Sequence, residues 1–244
     1  MKRRQPFYDD DSAYIHDVGF SGFANHSAPG LLQVLRKAAI HDGLVADLGC
    51  GGGIWAKHLL DAGYRVSGID VSPAMVAMAR QRAKGAKFQV GSLWSHRFSR
   101  CQAVTALGEV ICYMPNNKTS NRKLDTFFRK VFEALESGGL LIFDVAEVGL
   151  DRDRKPTFFE GDDWACLISF SYDEKRDRLV RQITSFRKLG KLYRRSHERH
   201  VLQLHRSSQV ADSLRTIGFR VRSVRRYGSY QLLPGRAGFI ARKP

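Results

Sequence analysis

The chain has 244 residues, 43% hydrophobic and 26% charged, with 40 Lys and Arg against 24 Asp and Glu for a formal charge of +16. That length suits one large α/β domain, and the composition is that of a globular protein. No apolar run reaches the ~18 residues of a bilayer span, the basic start MKRRQPFYDDD lacks an apolar signal core, and Cys50, Cys101, Cys112 and Cys166 form no C-x-x-C pair, so the reading is a cytoplasmic protein with no disulfide, metal or membrane partner.

Residues 9–24, DDDSAYIHDVGFSGFA, precede the first helical pattern. SAPGLLQVLRKAAIH (27–41) spaces Leu31, Leu32, Val34, Leu35 and Ala38 as a helix, with Ser27 as N-cap and Pro29 in its first turn. LVADL (44–48) reads as a strand, followed by a glycine loop and a helix from Ile54 that Gly63 ends. RVSGI (65–69) is a second strand, and the helix after it has Ser72 as N-cap and Pro73 at its first position. AKFQV (86–90) and CQAVTAL (101–107) are further strands, LDTFFRKVFEALESGG (124–139) an amphipathic helix stopped by two glycines, and LLIFDV (140–145) a fifth strand. This alternation predicts parallel βαβ units with helices on both sheet faces.

The period then changes to two. Trp164, Cys166, Ile168, Phe170 and Tyr172 alternate, and further extended runs around polar turns predict antiparallel hairpins. SSQVADSLRTIGF (207–219) is a last helix, and RVRSVRRYG and RAGFIARKP are last strands. The expected organisation is an N-terminal lid segment (1–26), a nucleotide-binding core (27–150), an antiparallel insertion (151–206) and a closing helix and strands (207–244).

The loop VADLGCGGG (45–53) does not fit the dinucleotide pattern G-x-G-x-x-G, because counting from Gly49 the third glycine position falls on Ile54. It fits D-x-G-x-G-x-G through Asp47, Gly49, Gly51 and Gly53. S-adenosylmethionine has no phosphate; it needs close backbone approach and a carboxylate for its ammonium, and Asp47 is placed for that task, directly or through water. Asp70 ends the second strand 21 positions past Gly49, where a carboxylate accepts both ribose hydroxyls. Val71 and Met75 can pack on adenine.

VADLGCGGGIWAKHLLDAGYRVSGIDVSPAMVAMAR, with its glycine loop, spaced acid and D-x-S-x-x-M, resembles the cofactor-binding half of class I S-adenosylmethionine-dependent methyltransferases over residues 40 to 150. The resemblance implies a Rossmann-like, doubly wound, mostly parallel seven-stranded sheet with an inserted antiparallel β-hairpin lid. It also implies S-adenosyl-L-methionine as cofactor, with S-adenosyl-L-homocysteine as product. Gly49, Cys50 and Gly51 would line the methionine part and Asp70 would hold the ribose. Gly91, Ser92 and Leu93 would border adenine, with Ser92 where the family usually has an acid. In LGEVICYM (107–114), Leu107 and Gly108 would face the cofactor.

The acceptor is harder to read, because alignment and water exclusion can carry a methyl transfer without a fixed catalytic motif. Candidates are Tyr14 and His16 in the lid segment, Glu109, Cys112 and Tyr113 after the fourth strand, and His197, Glu198 and His200 in the insertion. His197 and His200 make no metal pair, since a strand points them to opposite faces. Trp164, Phe170 and Tyr172 share one strand face while many arginines lie elsewhere, which favours a buried pocket and a small-molecule N or O acceptor. The alternative is an RNA methyltransferase with the insertion as a basic platform, drawn by the net charge.

Overall fold

The computed structural model describes residues 8–113, 121–149 and 155–244. In chain order these form α1 (Asp10–Phe20), α2 (Gly22–Lys37), β1 (Leu44–Leu48), α3 (Ile54–Asp61), β2 (Arg65–Asp70), α4 (Pro73–Arg82), β3 (Lys87–Val90), β4 (Cys101–Ala106), α5 (Asn121–Ala134) and β5 (Leu135–Ala146). β6 (Thr157–Gly161), β7 (Trp164–Asp173), β8 (Arg178–Leu189), β9 (Leu192–Gln203), α6 (Ser207–Ile217), β10 (Arg220–Val224), β11 (Arg226–Tyr227), β12 (Tyr230–Gln231) and β13 (Arg236–Arg242) follow.

The central sheet has seven strands in the order β10-β13-β5-β4-β1-β2-β3, and β13 runs antiparallel to both of its neighbours. β1, β4 and β5 are buried along most of their length, as a sheet covered on both faces requires. The strand order reverses at β1, where β4 lies on one side and β2 on the other. That is the switch point at which an open α/β sheet leaves a crevice beyond its strand ends. β6-β7-β8-β9 make a separate antiparallel sheet. Its inward row packs on α1 through Ile15, Trp164 and Cys166, and on the main core through Tyr172 and Leu179.

Three expectations change. The helix expected to start at Ser27 starts at Gly22; Ser27 lies inside it, fully buried, donating to the Phe23 carbonyl at 2.7 Å. A mid-helix serine can satisfy its hydroxyl on the preceding turn, so the Ser-x-Pro signal is not a cap here. The segment 9–24 contains α1, whose N-cap is Asp9, with Oδ1 accepting from the Ser12 amide at 2.9 Å. Gly138 and Gly139 do not stop α5; the helix ends at Ala134 and both glycines belong to β5, where a Cβ on Gly139 would come within 2.9 Å of the Gln102 carbonyl oxygen. β6 and β12 lie outside the expected strands, and the strand expected over RVRSVRRYG divides into β10 and β11.

Candidate active site

The loop after β1 is shaped by three left-handed glycines. Gly49 (φ +65°) leaves room for Val110, whose Cγ1 a Cβ would meet at 2.5 Å. Gly53 (φ +78°) lets α3 and α4 approach, since a Cβ would lie 2.8 Å from the Ala79 Cα. The Gly49 and Cys50 amides donate to the Ile69 carbonyl at 2.7 and 3.1 Å, which ties the loop to β2. Asp70 completes the tie: its Oδ2 accepts from the Gly51 amide at 3.0 Å and its Oδ1 from the Ser72 amide at 2.9 Å. Burial raises the Asp70 carboxyl above the usual range, against these backbone donors.

Asp47 sits beneath the loop, 3% exposed. Its Oδ1 accepts from the Thr105 hydroxyl at 2.9 Å, while its Oδ2 is buried with no hydrogen-bond partner among the described residues. Burial pushes this carboxyl up to about 7, only partly offset by Thr105. A buried, unpartnered carboxylate oxygen beside a glycine loop suits a cationic ammonium group.

The loop opens into a cavity of about 640 Å³ between the strand ends, α1 and the antiparallel sheet. Every residue expected to bind cofactor lines it, from Asp47 and the Gly49–Gly51 loop through Asp70, Val71 and Met75 to Gly91, Ser92, Leu93, Leu107 and Gly108. Of the catalytic candidates, His16, Glu109, Tyr113, Glu198 and His200 line it as well. Tyr14 and His197 do not. The Tyr14 hydroxyl donates to Asp163 at 3.2 Å with the Arg187 guanidinium stacked 3.2 Å from its ring centroid, and exposed His197 bonds Thr184 on the outer sheet face. Cys112 is buried with its Sγ accepting from the Ala146 amide, and burial raises its thiol far from a nucleophilic thiolate. Met114 lies outside the described residues.

Glu109 is held in a left-handed conformation (φ +61°) by Asp144, whose two oxygens accept from the Gly108 and Glu109 amides at 2.7 and 2.9 Å. Burial pushes Asp144 up to about 6. The Glu109 carboxylate, 3% exposed, accepts from Arg181 of β8 at 2.7 Å and pairs with Arg236 of β13 at 3.1 Å. Burial opposes its charge, but the two guanidiniums outweigh that and hold it below the usual range. Beside it, His200 bonds Glu198 at 2.7 Å, and the rings of Tyr8 and Tyr113 lie 5.1 and 5.6 Å from His200. His16 closes this end against Tyr8, and burial lowers its imidazole to about 4.

Sequence spacing gives no sign of Tyr8, Arg181 or Arg236, which reach the site from distant segments. The alternation of β9 is the one local signal, since it turns Glu198 and His200 inward together and His197 outward. Among the described residues, no cluster of three or more His, Cys, Asp or Glu is placed to hold a metal, and no helix is long and apolar enough to cross a membrane.

Residues 45–139 match the methyltransferase domain family. That domain match and this fold are those of S-adenosylmethionine-dependent methyltransferases of class I. It is similar to YqeM of Bacillus subtilis (strain 168), 28% identical over 195 residues covering 75% of each chain. It is 24% identical to the 18S rRNA (guanine-N(7))-methyltransferase of Mus musculus over 57% of this chain and 52% of that one. The chain thus spans about half the length of several curated relatives it matches. The structure of S-adenosylmethionine-bound CalS10, an amino pentose methyltransferase from Micromonospora echinaspora, shares the fold with a TM-score of 0.76 and 16% identity, covering 99% of this chain and 100% of that one.

Proposed function

We propose that this protein transfers the methyl group of S-adenosylmethionine to the nitrogen or oxygen of a small molecule. The observation that carries this reading is a single roofed cavity of about 640 Å³, within the size range of small-ligand pockets, that joins the glycine loop to the antiparallel sheet. At the loop end, Asp47 Oδ2 would accept from the cofactor ammonium and Asp70 from the ribose hydroxyls. Val71, Met75 and Leu93 would flank adenine, with Ser92 at its edge. When bound, the cofactor supplies a methyl group on a cationic sulfur.

Transfer would join the acceptor's lone pair to that methyl carbon and leave the carbon–sulfur pair on the sulfur, with the acceptor's proton released to solvent as the product leaves. The protein's part is to align the two and exclude bulk water. α1 and the antiparallel sheet do the excluding. Glu109, fixed by Arg181 and Arg236, and Tyr113 set the polar end against which the acceptor rests.

Incubation with labelled S-adenosylmethionine and a size-fractionated cell extract tests this reading, with label expected in the low-mass fraction. One observation favours a second reading. On the outer sheet face the exposed rings of Phe158, Phe186 and Tyr193 interleave with Arg195 and Arg199, so aromatics and arginines are not as segregated as the sequence suggests. Such a face suits single-stranded RNA, but it turns away from the cavity. Label in RNA would establish that second reading instead.

A further inference from the structure

We infer that the acceptor has an apolar, ring-sized body with one nucleophilic hydroxyl or amine and one further hydrogen-bonding substituent, and is not a polyhydroxylated sugar. The inference rests on the methyltransferase reading and concerns the half of the cavity that the cofactor leaves.

The β6–β7 side of the roof of that half is largely apolar. The inward row of the antiparallel sheet gives Phe159, Ile168, Phe170, Leu179 and Ile183, and α1 adds Phe20. These side chains point inward yet are not fully buried. Apolar surface left uncovered inside a fold gains from an apolar guest in proportion to the area it covers. Acceptor hydroxyls laid on these apolar side chains would lose their water and find no partner there, at a cost of roughly tenfold in affinity each.

The polar groups of this half stand partly on the same sheet, as Arg181, Ser185, Glu198 and His200, and partly on the floor, and most are already engaged, Ser185 with the Ser196 hydroxyl at 2.9 Å. Glu109 takes Arg181 and Arg236, Glu198 takes His200, and the Tyr8 and Tyr113 hydroxyls are 3.4 Å apart. Within this half, the exception is Ser12 on α1. It lines the cavity at 7% exposure, and its Oγ is buried with no hydrogen-bond partner among the described residues. An unsatisfied buried hydroxyl of this kind asks for one complementary atom on a ligand. It parallels Asp47 Oδ2 at the cofactor end.

The test uses the full chain saturated with S-adenosylhomocysteine, with binding of phenol, resorcinol, 2-naphthol, glucose and glucosamine measured by saturation-transfer NMR and calorimetry. The aromatic probes are expected to bind and the sugars not. Ile183→Asn, and independently Ile168→Ser, should weaken 2-naphthol by about tenfold while S-adenosylhomocysteine affinity, the control for folding, stays unchanged. Ser12→Ala should abolish any advantage of resorcinol over phenol. Sugars binding as well as the aromatics, or neither class binding to the loaded protein, overturns the inference while leaving the methyltransferase reading intact. Failure of S-adenosylhomocysteine itself to bind overturns that reading and this inference with it.

Discussion

The two carboxylate oxygens of Asp47 stand in different surroundings. One oxygen is spent on Thr105 and the other is left buried and unpaired, which is costly in the ligand-free protein. With its carboxyl pushed up to about 7, Asp47 holds a proton below that pH and cannot complement an ammonium. Cofactor affinity should therefore fall as pH drops through 7, and binding near pH 7 should release a proton. Calorimetry in buffers of different ionisation enthalpy measures both; an affinity flat from pH 5 to 8 removes Asp47 from the ammonium site. Asp70→Ala should weaken the cofactor by about 1.5–3 kcal/mol, the scale of charged hydrogen bonds. Glu109 is the other strained residue. Glu109→Ala leaves two guanidiniums facing each other in a buried site and should cost about 3–5 kcal/mol of stability. Restoring apolar packing with a second change, Arg181→Met, should recover part of that loss in chemical denaturation.

At the scale of elements, α1 is fastened at several points. Asp17 takes Arg82 of α4 at 2.7 and 2.8 Å, the same guanidinium reaches the Gly52 carbonyl, and the Ser72 hydroxyl donates to the Tyr8 carbonyl at 2.7 Å. The fastening therefore lands on the glycine loop and the ribose-side turn, the segments that would hold the cofactor. On its other side α1 meets the antiparallel sheet so closely that a Cβ on Gly19 would lie 2.5 Å from the Trp164 ring. The Asp17–Arg82 pair is partly exposed, so it is worth no more than about 1 kcal/mol. Asp17→Ala should speed release of S-adenosylhomocysteine by up to about fivefold with little change in melting temperature. Stopped-flow fluorescence tests this, and an unchanged release rate would show that α1 does not gate the cofactor.

At the scale of the whole molecule, the inserted sheet is not a separate unit. Tyr172 and Leu179 pack against the cluster that holds α5, β4 and β5, and Leu202 belongs to that cluster outright. Arg181 and Arg236 bring the insertion and the last strand to the same carboxylate. The chain should therefore unfold in one transition when followed by far-ultraviolet circular dichroism and by tryptophan fluorescence, Trp164 reporting from the insertion and Trp55 from the core. Two separated transitions would mean that the insertion melts alone.

The sequence alone determined the β1 loop, the Asp70 spacing and the inward alternation of β7, because each depends on residues close in the chain whose backbone geometry or period is local. The residues it singled out there line one cavity, for the same reason. It misjudged the start of α2, since Ser27 and Pro29 look like a helix entrance until burial shows the serine bonded within the helix. It could not reveal α1 as a helix, because Asp11 and Ser12 sit among its buried positions and blur the apolar period. Only the tertiary structure decided which residues meet at the far end of the cavity. Glu109 finds Arg181 across 72 positions and Asp9 finds Glu198 across 189, and no periodicity encodes contacts of that range. The same folding carried Tyr14 and His197 away from the cavity and set Ser12 in its wall, because the strand register and the packing of α1 fix where those side chains point.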